Sequence, residues 1–507
     1  MCFTSIRSGL ISLLLLLGLA LPCRSQVAQL GRYELMLDDR YGVSDPEVIS
    51  LGDEGALIQR RIIGKTTDQL DLIKLDTALR ENWKGVIPLD KNLILSKINT
   101  RDEVVFLLFK TAGYGNFDFT IIAMHTGTRN YNKYVVKNLI PLSPSDFKIS
   151  TNAILIGGYF NNLPVVLHFS FTTGRSRLLP GFFNELGELN EIKTYSDGLI
   201  DITVSNRNLK RKKVIWVRSY TPEGDLIQAT VLEGDLDKNL IFGRSLRKAD
   251  GTQIIAGNFG IRNIEYSRGI FIAEIKPGGE KSMRYHNFSD LKNFFKFMKP
   301  RREARVTARI EKRKSKGKKN RQSYRFLTDE LHQYGDDFLL LGEVYFPRYQ
   351  YANPYGFFGP GAYSGSRGER IFDGYRYTHA AVIGFDEQGQ LKWDNIIEMG
   401  DIKTYNLEQF VKLAPKGDRL GLLYLFDNAV RSKTIQNNQV LEVKSFSPLK
   451  LKFDTDLVRE KNNETTALEY WYHPYFYAHG IQYVRDLRNG RNETGRKVLF
   501  INKLKFQ

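Results

Sequence analysis

Only two of the 507 residues are cysteine, Cys2 and Cys23. Long apolar runs are as scarce. The one conspicuous case is "SGLISLLLLLGLALP" after Arg7, which is short of the ~20 residues a membrane span needs. "CRS" and then Gln26 follow it, with the small residues Cys23 and Ser25 at the two cleavage-determining places. Basic start, apolar middle and small-residue end are the layout of a secretory signal peptide, cut after Ser25. An uncleaved anchor is the alternative. A lipid-modified Cys23 fits poorly behind Pro22. Both cysteines fall in the expected leader, so the mature 482 residues (507 − 25) have no thiol, disulfide or thiolate metal site. A large exported chain without cysteine points to a bacterial envelope: periplasmic, outer-membrane-associated or extracellular.

Catalytic signatures are missing too. There is no His-Glu-x-x-His, no Gly-x-Ser-x-Gly elbow, no phosphate-cradling glycine loop and no calcium loop. Of seven histidines only His473 and His479 are near each other, and a spacing of six suits neither a helix face nor a metal hairpin. We expect no catalytic residue, no metal and no cofactor. A glycosidase acid pair depends on separation in space. Asp373, Asp386 and Glu398 are placed near one candidate mouth, although turn aspartates such as Asp386 usually bond their own backbone.

Positive charge is abundant. The net charge is +18, and a leader carrying Arg7 and Arg24 leaves +16 (18 − 2). Ten of these charges lie in "KPRREARVTARIEKRKSKGKKNR" (299–321), where twelve Lys or Arg face two Glu. Its cations are Arg301, Arg302, Arg305, Arg309, Lys312, Arg313, Lys314, Lys316, Lys318, Lys319 and Arg321, together with Lys299. Export removes nucleic acid as a partner and leaves acidic protein, anionic lipid or acidic glycan. "ARVTARIE" alternates, and "SKGKKN" resembles a turn. A projecting hairpin is therefore expected over the run, a helix being the alternative. Just before it, "SDLKNFFKFMKP" spaces Leu291, Phe294, Phe295 and Met298 as a helix would.

The rest reads as strand. Short Val/Ile/Leu/Phe/Tyr runs alternate with turn clusters, as in "EVVFLLFK", "AILIGGYF" and "AAVIGFD". A unit of strand, polar turn and second strand recurs, clearest in "GFDEQGQLKWDN" at 384–395. With Asp76, Thr126, Thr172, Pro222, Pro277, Asp386 and Leu449 as turn markers, the intervals are 50, 46, 50, 55, 109 and 63. Most approach the ~40–50 residues of a four-stranded propeller blade. The longest is a blade plus an insertion holding the basic run. Seven hairpins imply an all-β, seven-bladed β-propeller, with two β-sandwich domains as the alternative. "RYELMLDD" near the start is expected to complete the blade that "KVLFINKLKF" ends. The layout is a leader (1–25), a first set of blades (26–288), an amphipathic helix with the basic insertion (289–325) and the closing blades (326–507).

"FDEQGQLKWD" resembles the outer hairpin of quinoprotein-like and WD-like propeller blades, and Trp393 and Trp83 match the aromatic that packs between blades there. No quinone or calcium ligands carry over. A large cysteine-free exported propeller with insertions is also similar to Bacteroidota envelope propellers such as the plug of the type 9 secretion translocon.

The segment 345–377 has eleven aromatics in 33 residues, against 12% for the chain. Tyr349, Tyr351, Tyr355, Phe357, Phe358 and Tyr363, with Arg348, Arg367 and Arg370, have the composition of a recognition surface. The leading expectation is a non-enzymatic propeller docking an envelope protein through its insertions. A carbohydrate-binding or carbohydrate-processing propeller, and a membrane-surface protein held by the run with Phe294, Phe295 and Phe297, are the alternatives.

Overall fold

The computed structural model describes residues 26–37, 42–113, 115, 117–138, 140–181, 186–262, 264–351, 370–460, 466–486 and 495–507. Their strands form eight antiparallel sheets, six of four strands and two of five. Each is a blade, numbered here in chain order from the sheet that opens with Glu47–Ser50. Blade eight takes Ala467–Tyr472, Tyr475–Asp486 and Gly495–Phe506 from the end of the chain, and its outer strand, Val27–Leu37, from the beginning. The register runs from Val27 opposite Phe506 to Leu37 opposite Lys497.

Stacking explains why central strands read as unbroken apolar runs. Ala153, Ile154, Leu155 and Ile156 are all fully buried, because neighbouring blades cover both faces of the sheet. The core is accordingly divided into eight apolar clusters, each bridging two successive blades. One joins Trp471, Tyr477 and Ile501 of blade eight to Ile58, Ile73 and Leu75 of blade one, so the ring is closed. Trp83 and Trp393 do pack between blades, one and two, and six and seven. Trp393 lies so flat on Gly384 that a Cβ there would meet its ring at 2.4 Å.

Several of the outer hairpins are hydrogen-bonded by the blade before them. Trp83 Nε1 donates to Thr126 O (3.1 Å), His168 Nε2 to Pro222 O (2.9 Å), His286 Nε2 to Gly389 O (3.1 Å) and Lys503 Nζ to Thr77 O (2.8 Å).

The blade count corrects the expected seven. Six of the turn markers sit in outer hairpins, but Leu449 lies beyond the blade-seven strand Gln439–Pro448. That blade's real hairpin is Asn437-Asn438, between Ala429–Gln436 and Gln439–Pro448. Blade eight has no outer hairpin, because its outer strand comes from the other end of the chain. A ring closed in this way has one blade more than it has hairpins. Two sandwiches are excluded by the same closure.

First strands of successive blades approach one another around the axis, as Leu93–Arg101 does Ser143–Ile149 and Lys238–Arg247 does Arg325–Tyr334. Each chain segment thus runs from the axis outward, turning alternately at two rims. First and third turns of every blade lie on one rim, the lower. Second turns and the blade-to-blade connections lie on the other, the upper. The first and last described residues both fall on the lower rim, where Gln507 N donates to Gln26 O at 2.9 Å.

Candidate functional site

The basic run lies in the connection from blade five to blade six, and the aromatic segment in the second turn of blade six. Topology therefore places both on the upper rim, side by side.

The run is helical, not a hairpin: α1 spans Pro300–Lys314. Pro300 stands at the helix start, where its missing N–H costs nothing, and Glu303 and Lys312, Arg313 and Lys314 suit the two ends of the helix dipole. Burial decides between the two periodicities. Val306 and Ile310, four apart, pack on the core, while Ala304 and Ala308, which alternation would bury with them, are exposed. Gly317, expected at a hairpin tip, instead ends the helix at φ 61°, with Lys318 N donating to Arg313 O (2.9 Å). The stretch before α1 is not the expected helix. A single 3-10 turn, Phe288–Asp290, is followed by a compact knot in which Asp394 accepts from the backbone N–H of Lys292 and Asn293, both at 2.8 Å. Phe288, Leu291, Phe294 and Phe295 are buried there. Helical spacing correctly marked apolar residues facing one way, but the knot buries them without a helix.

Pinned by that face, α1 turns its charges to solvent. Lys314 pairs with Asp290 (2.9 Å) and Lys319 with Asp237 (3.5 Å). Arg313 donates to Lys319 O. Arg301, Arg302, Arg305, Arg309, Lys312, Lys316, Lys318 and Arg321 have no acidic partner among the described residues. Crowding of charge is felt nearby: burial, with Arg321 and Arg313 adding repulsion, lowers the Arg268 guanidinium from its ordinary value. At the start of α1, Phe297, Met298, Arg301, Arg302 and Arg305 line a largely apolar hollow of about 780 Å³.

The aromatic segment begins as a ribbon. Asp337–Tyr351 and Arg370–Phe385 stay paired to Tyr351 opposite Arg370, and Lys403–Thr404 adds a short third strand beside Tyr375 and Arg376. Residues 345–351 reach roughly 20 Å past the ring at strand rise. Along the ribbon, aromatic rings form a ladder from core to solvent. Tyr377 is buried, and Tyr345 lies 6.1 Å from it. Tyr375 follows at 5.6 Å, Phe372 at 5.1 Å beyond that, and Tyr349 at a further 5.9 Å. Tyr349 is 51% exposed, and Tyr405, 6.4 Å from Phe372, is 53% exposed. Phe346, Ile371 and Leu407 are exposed as well. Asp373 is clamped by Lys403 (2.6 Å) and Arg348 (3.3 Å), and the Lys403 hydrogen bond holds its carboxyl below the ordinary range.

One joint couples ribbon and helix. His379, at the ribbon root, stacks on Phe297 at 4.1 Å and meets Phe294 edge-on at 4.7 Å. Burial pushes its imidazole down to about 3, so it is neutral. Next to it Glu343 is fully buried, accepting from Phe410 N (2.8 Å) and Val411 N (2.7 Å). Burial drives its carboxyl up to about 8, with Asp329 adding to the effect.

Of the expected recognition residues, Tyr349 stands on the ladder and Arg370 at the end of the ribbon pairing. Tyr355, Phe357, Phe358, Tyr363 and Arg367, and the side chain of Tyr351, lie outside the described residues. Tyr405 and Lys403, from the blade-six to blade-seven connection, were not foreseen; they lie more than 25 residues beyond the aromatic segment, with no periodicity to tie them to it. The three carboxylates do not share a mouth. Asp386 sits on the lower rim accepting from Gln388 N and Gln390 N, whereas Asp373 stands on the upper-rim ribbon. His479 is buried with its pKa lowered to about 4, and His473 stands at a lower-rim turn. No cluster of metal-ligating side chains is found among the described residues, and no described helix is long and apolar enough to cross a membrane.

The strand pairing defines the class: an eight-bladed β-propeller. No family model matches the chain, and no curated protein matches it. Solved structures do. The polysaccharide lyase Uly1 matches over 81% of this chain and 90% of its own, at 9% identity and a TM-score of 0.38. The propeller domain of the Trilobed protease from Pyrococcus furiosus matches over 80% and 95%, at 9% identity and 0.36. The Dos1 propeller matches over 82% and 95%, at 10% identity and 0.35. At such low likeness none of them bears on what this chain does.

Proposed function

We propose that this is an exported propeller whose upper rim docks an acidic envelope protein. The carrying observation is the row of cations on α1 without acidic partners among the described residues, fixed beside an exposed aromatic ladder on the same rim. Partly exposed aromatics and arginines are the residue types that carry interface energy, and unpaired cations favour an acidic partner through steering. The hollow at the start of α1 suits an apolar side chain of that partner, rimmed by three arginines. Export is supported by the leader pattern of the first 25 residues. A place in a secretion apparatus, such as plugging a type 9 translocon, is a narrower form of this reading, tested by co-purification with the channel. The membrane-surface alternative loses two of its three apolar anchors, since Phe294 and Phe295 are in the core and Phe297 is half-buried.

The test is in-cell crosslinking from photoreactive residues placed at Arg305 and Tyr349, followed by identification of the adducts. One acidic envelope protein should be captured from both positions, and Arg301→Glu/Arg302→Glu/Arg309→Glu should abolish capture from both while leaving the thermal melt unchanged. Full capture by the triple variant would overturn the reading.

A further inference from the structure

The lower rim, away from both insertions, carries a second site that owes nothing to the docking face. Blades seven and eight part there around a cleft of about 680 Å³, within the range of small-ligand sites. One wall is the first turn of blade seven, with Lys416 and Arg419; the other is the first turn of blade eight, with Tyr470 and His473. Lys505 of the blade-eight strand Gly495–Phe506 adds to the second wall, and Gln26 completes the cleft.

Four features of the cleft point to one chemistry. Lys416, Arg419 and Lys505 have no acidic partner among the described residues, they are divided between blades seven and eight, and they outnumber the cleft's one carboxylate, Glu442, which accepts from Thr434 Oγ1 at 3.3 Å. Tyr470 is 49% exposed, and its ring is held edge-on by Phe476 (5.6 Å, 83°), which leaves a face free. Gln26 is 7% exposed, and its Oε1 is buried without a hydrogen-bond donor. The cation-bearing turn of blade seven is fixed, because Tyr334 Oη donates to Gly417 O at 2.5 Å. A buried acceptor lacking a donor is costly, and a ligand hydroxyl relieves it. A bare inorganic anion would use neither the ring face nor that acceptor. Cations spread over two walls suit charge repeated along a chain better than charge gathered in one phosphate group.

We propose that this cleft binds an acidic oligosaccharide. Its carboxylates pair with Lys416, Arg419 and Lys505, one sugar ring lies on Tyr470, and a hydroxyl donates to Gln26 Oε1. Titration calorimetry on the full chain tests it with a galacturonate trimer, the neutral cellotriose and ATP. The uronate trimer should bind and the neutral trimer should not. Lys416→Ala/Arg419→Ala and Tyr470→Ala should each weaken binding at least tenfold, a drop of ~1.4 kcal/mol, with melts like that of the parent. Should either variant lose its fold, Lys505→Ala on the opposite wall must show the same loss. The proposal is overturned by silence with the uronate trimer, by ATP binding as tightly, or by variants of full affinity. Loss of crosslinking on the upper rim would leave these results untouched, so the two readings fail separately.

Discussion

At the residue scale, two buried titratable groups at the ribbon root set opposite pH limits on stability. Glu343 keeps its proton in the fold to about pH 8, whereas an ordinary carboxyl gives it up near 4.5. Between those values the folded state holds more protons than the unfolded one, so stability falls as pH rises from 4.5 and levels off above 8. His379 is the reverse. Neutral in the fold down to about 3, against an ordinary 6.5, it makes stability fall as pH drops through that window. Urea unfolding at pH 5, 7 and 9 should show the parent losing a few kcal/mol toward pH 9, since each step of one in pH between the two values removes ~1.4 kcal/mol. In Glu343→Gln, which keeps an acceptor for Phe410 N and Val411 N, that slope should be largely gone. A slope that survives the substitution would assign it elsewhere, Asp329 and Lys412 being the neighbouring charges. Trp393, flat on Gly384 between two blades, is the other sensitive residue. Trp393→Ala should cost ~3–5 kcal/mol, read as a lowered unfolding midpoint.

At the element scale, α1 is a charged strip fastened by Val306 and Ile310. Ile310→Ala removes one of two fasteners and should cost ~2–4 kcal/mol of local stability. Hydrogen exchange should speed up over 300–314 while the central strands keep their protection. Loss of protection throughout the ring would instead make the helix part of the core. This element also marks where the sequence was ambiguous. Strand and helix periods both place Val306 with Ile310, and only the exposure of Ala304 and Ala308 separates them. Gly317 serves a hairpin or a helix end equally well. Outer hairpins with Gly, Pro, Asp or Thr at the turn were legible, because these residue types favour tight turns. Asn437-Asn438 carries no such mark, and it leads into a strand with Val443 and Phe446 exposed. The site was legible only in part. Composition located the ribbon, but Tyr405, Lys403 and the Phe297–His379 joint come together through long-range packing that no local pattern records.

At the scale of the molecule, everything depends on the seam in blade eight. Arg32 and Glu34 on the first strand meet Arg496 and Asp456 from the far end of the chain. The side chain of Asp456 is fully buried, so removing Arg496 strands it, while Glu34 keeps Arg32 at 2.7 Å. Arg496→Ala should cost ~3–5 kcal/mol and lower the melting midpoint, whereas Arg301→Ala, on the solvent face of α1, should change it by less than ~0.5 kcal/mol. Equal melts for the two would mean the seam is not stabilised by its charges. Sequence pattern foresaw the seam from two apolar strands at opposite ends; it did not foresee that the seam adds a blade.

The closure has a consequence for orientation. With Gln26 and Gln507 bonded to each other on the lower rim, a segment joined at Gln507 and the segment preceding Gln26 both depart from that side. A protein tethered there, by a leader or by an affinity tag, shows α1 and the aromatic ribbon to the opposite side, like a wheel mounted by its hub with one face outward. The cleft between blades seven and eight then lies at the mount, where a large polymer has least room. A surface-bound sample should thus report partner docking faithfully and under-report long saccharides, a bias that short oligomers in free solution avoid.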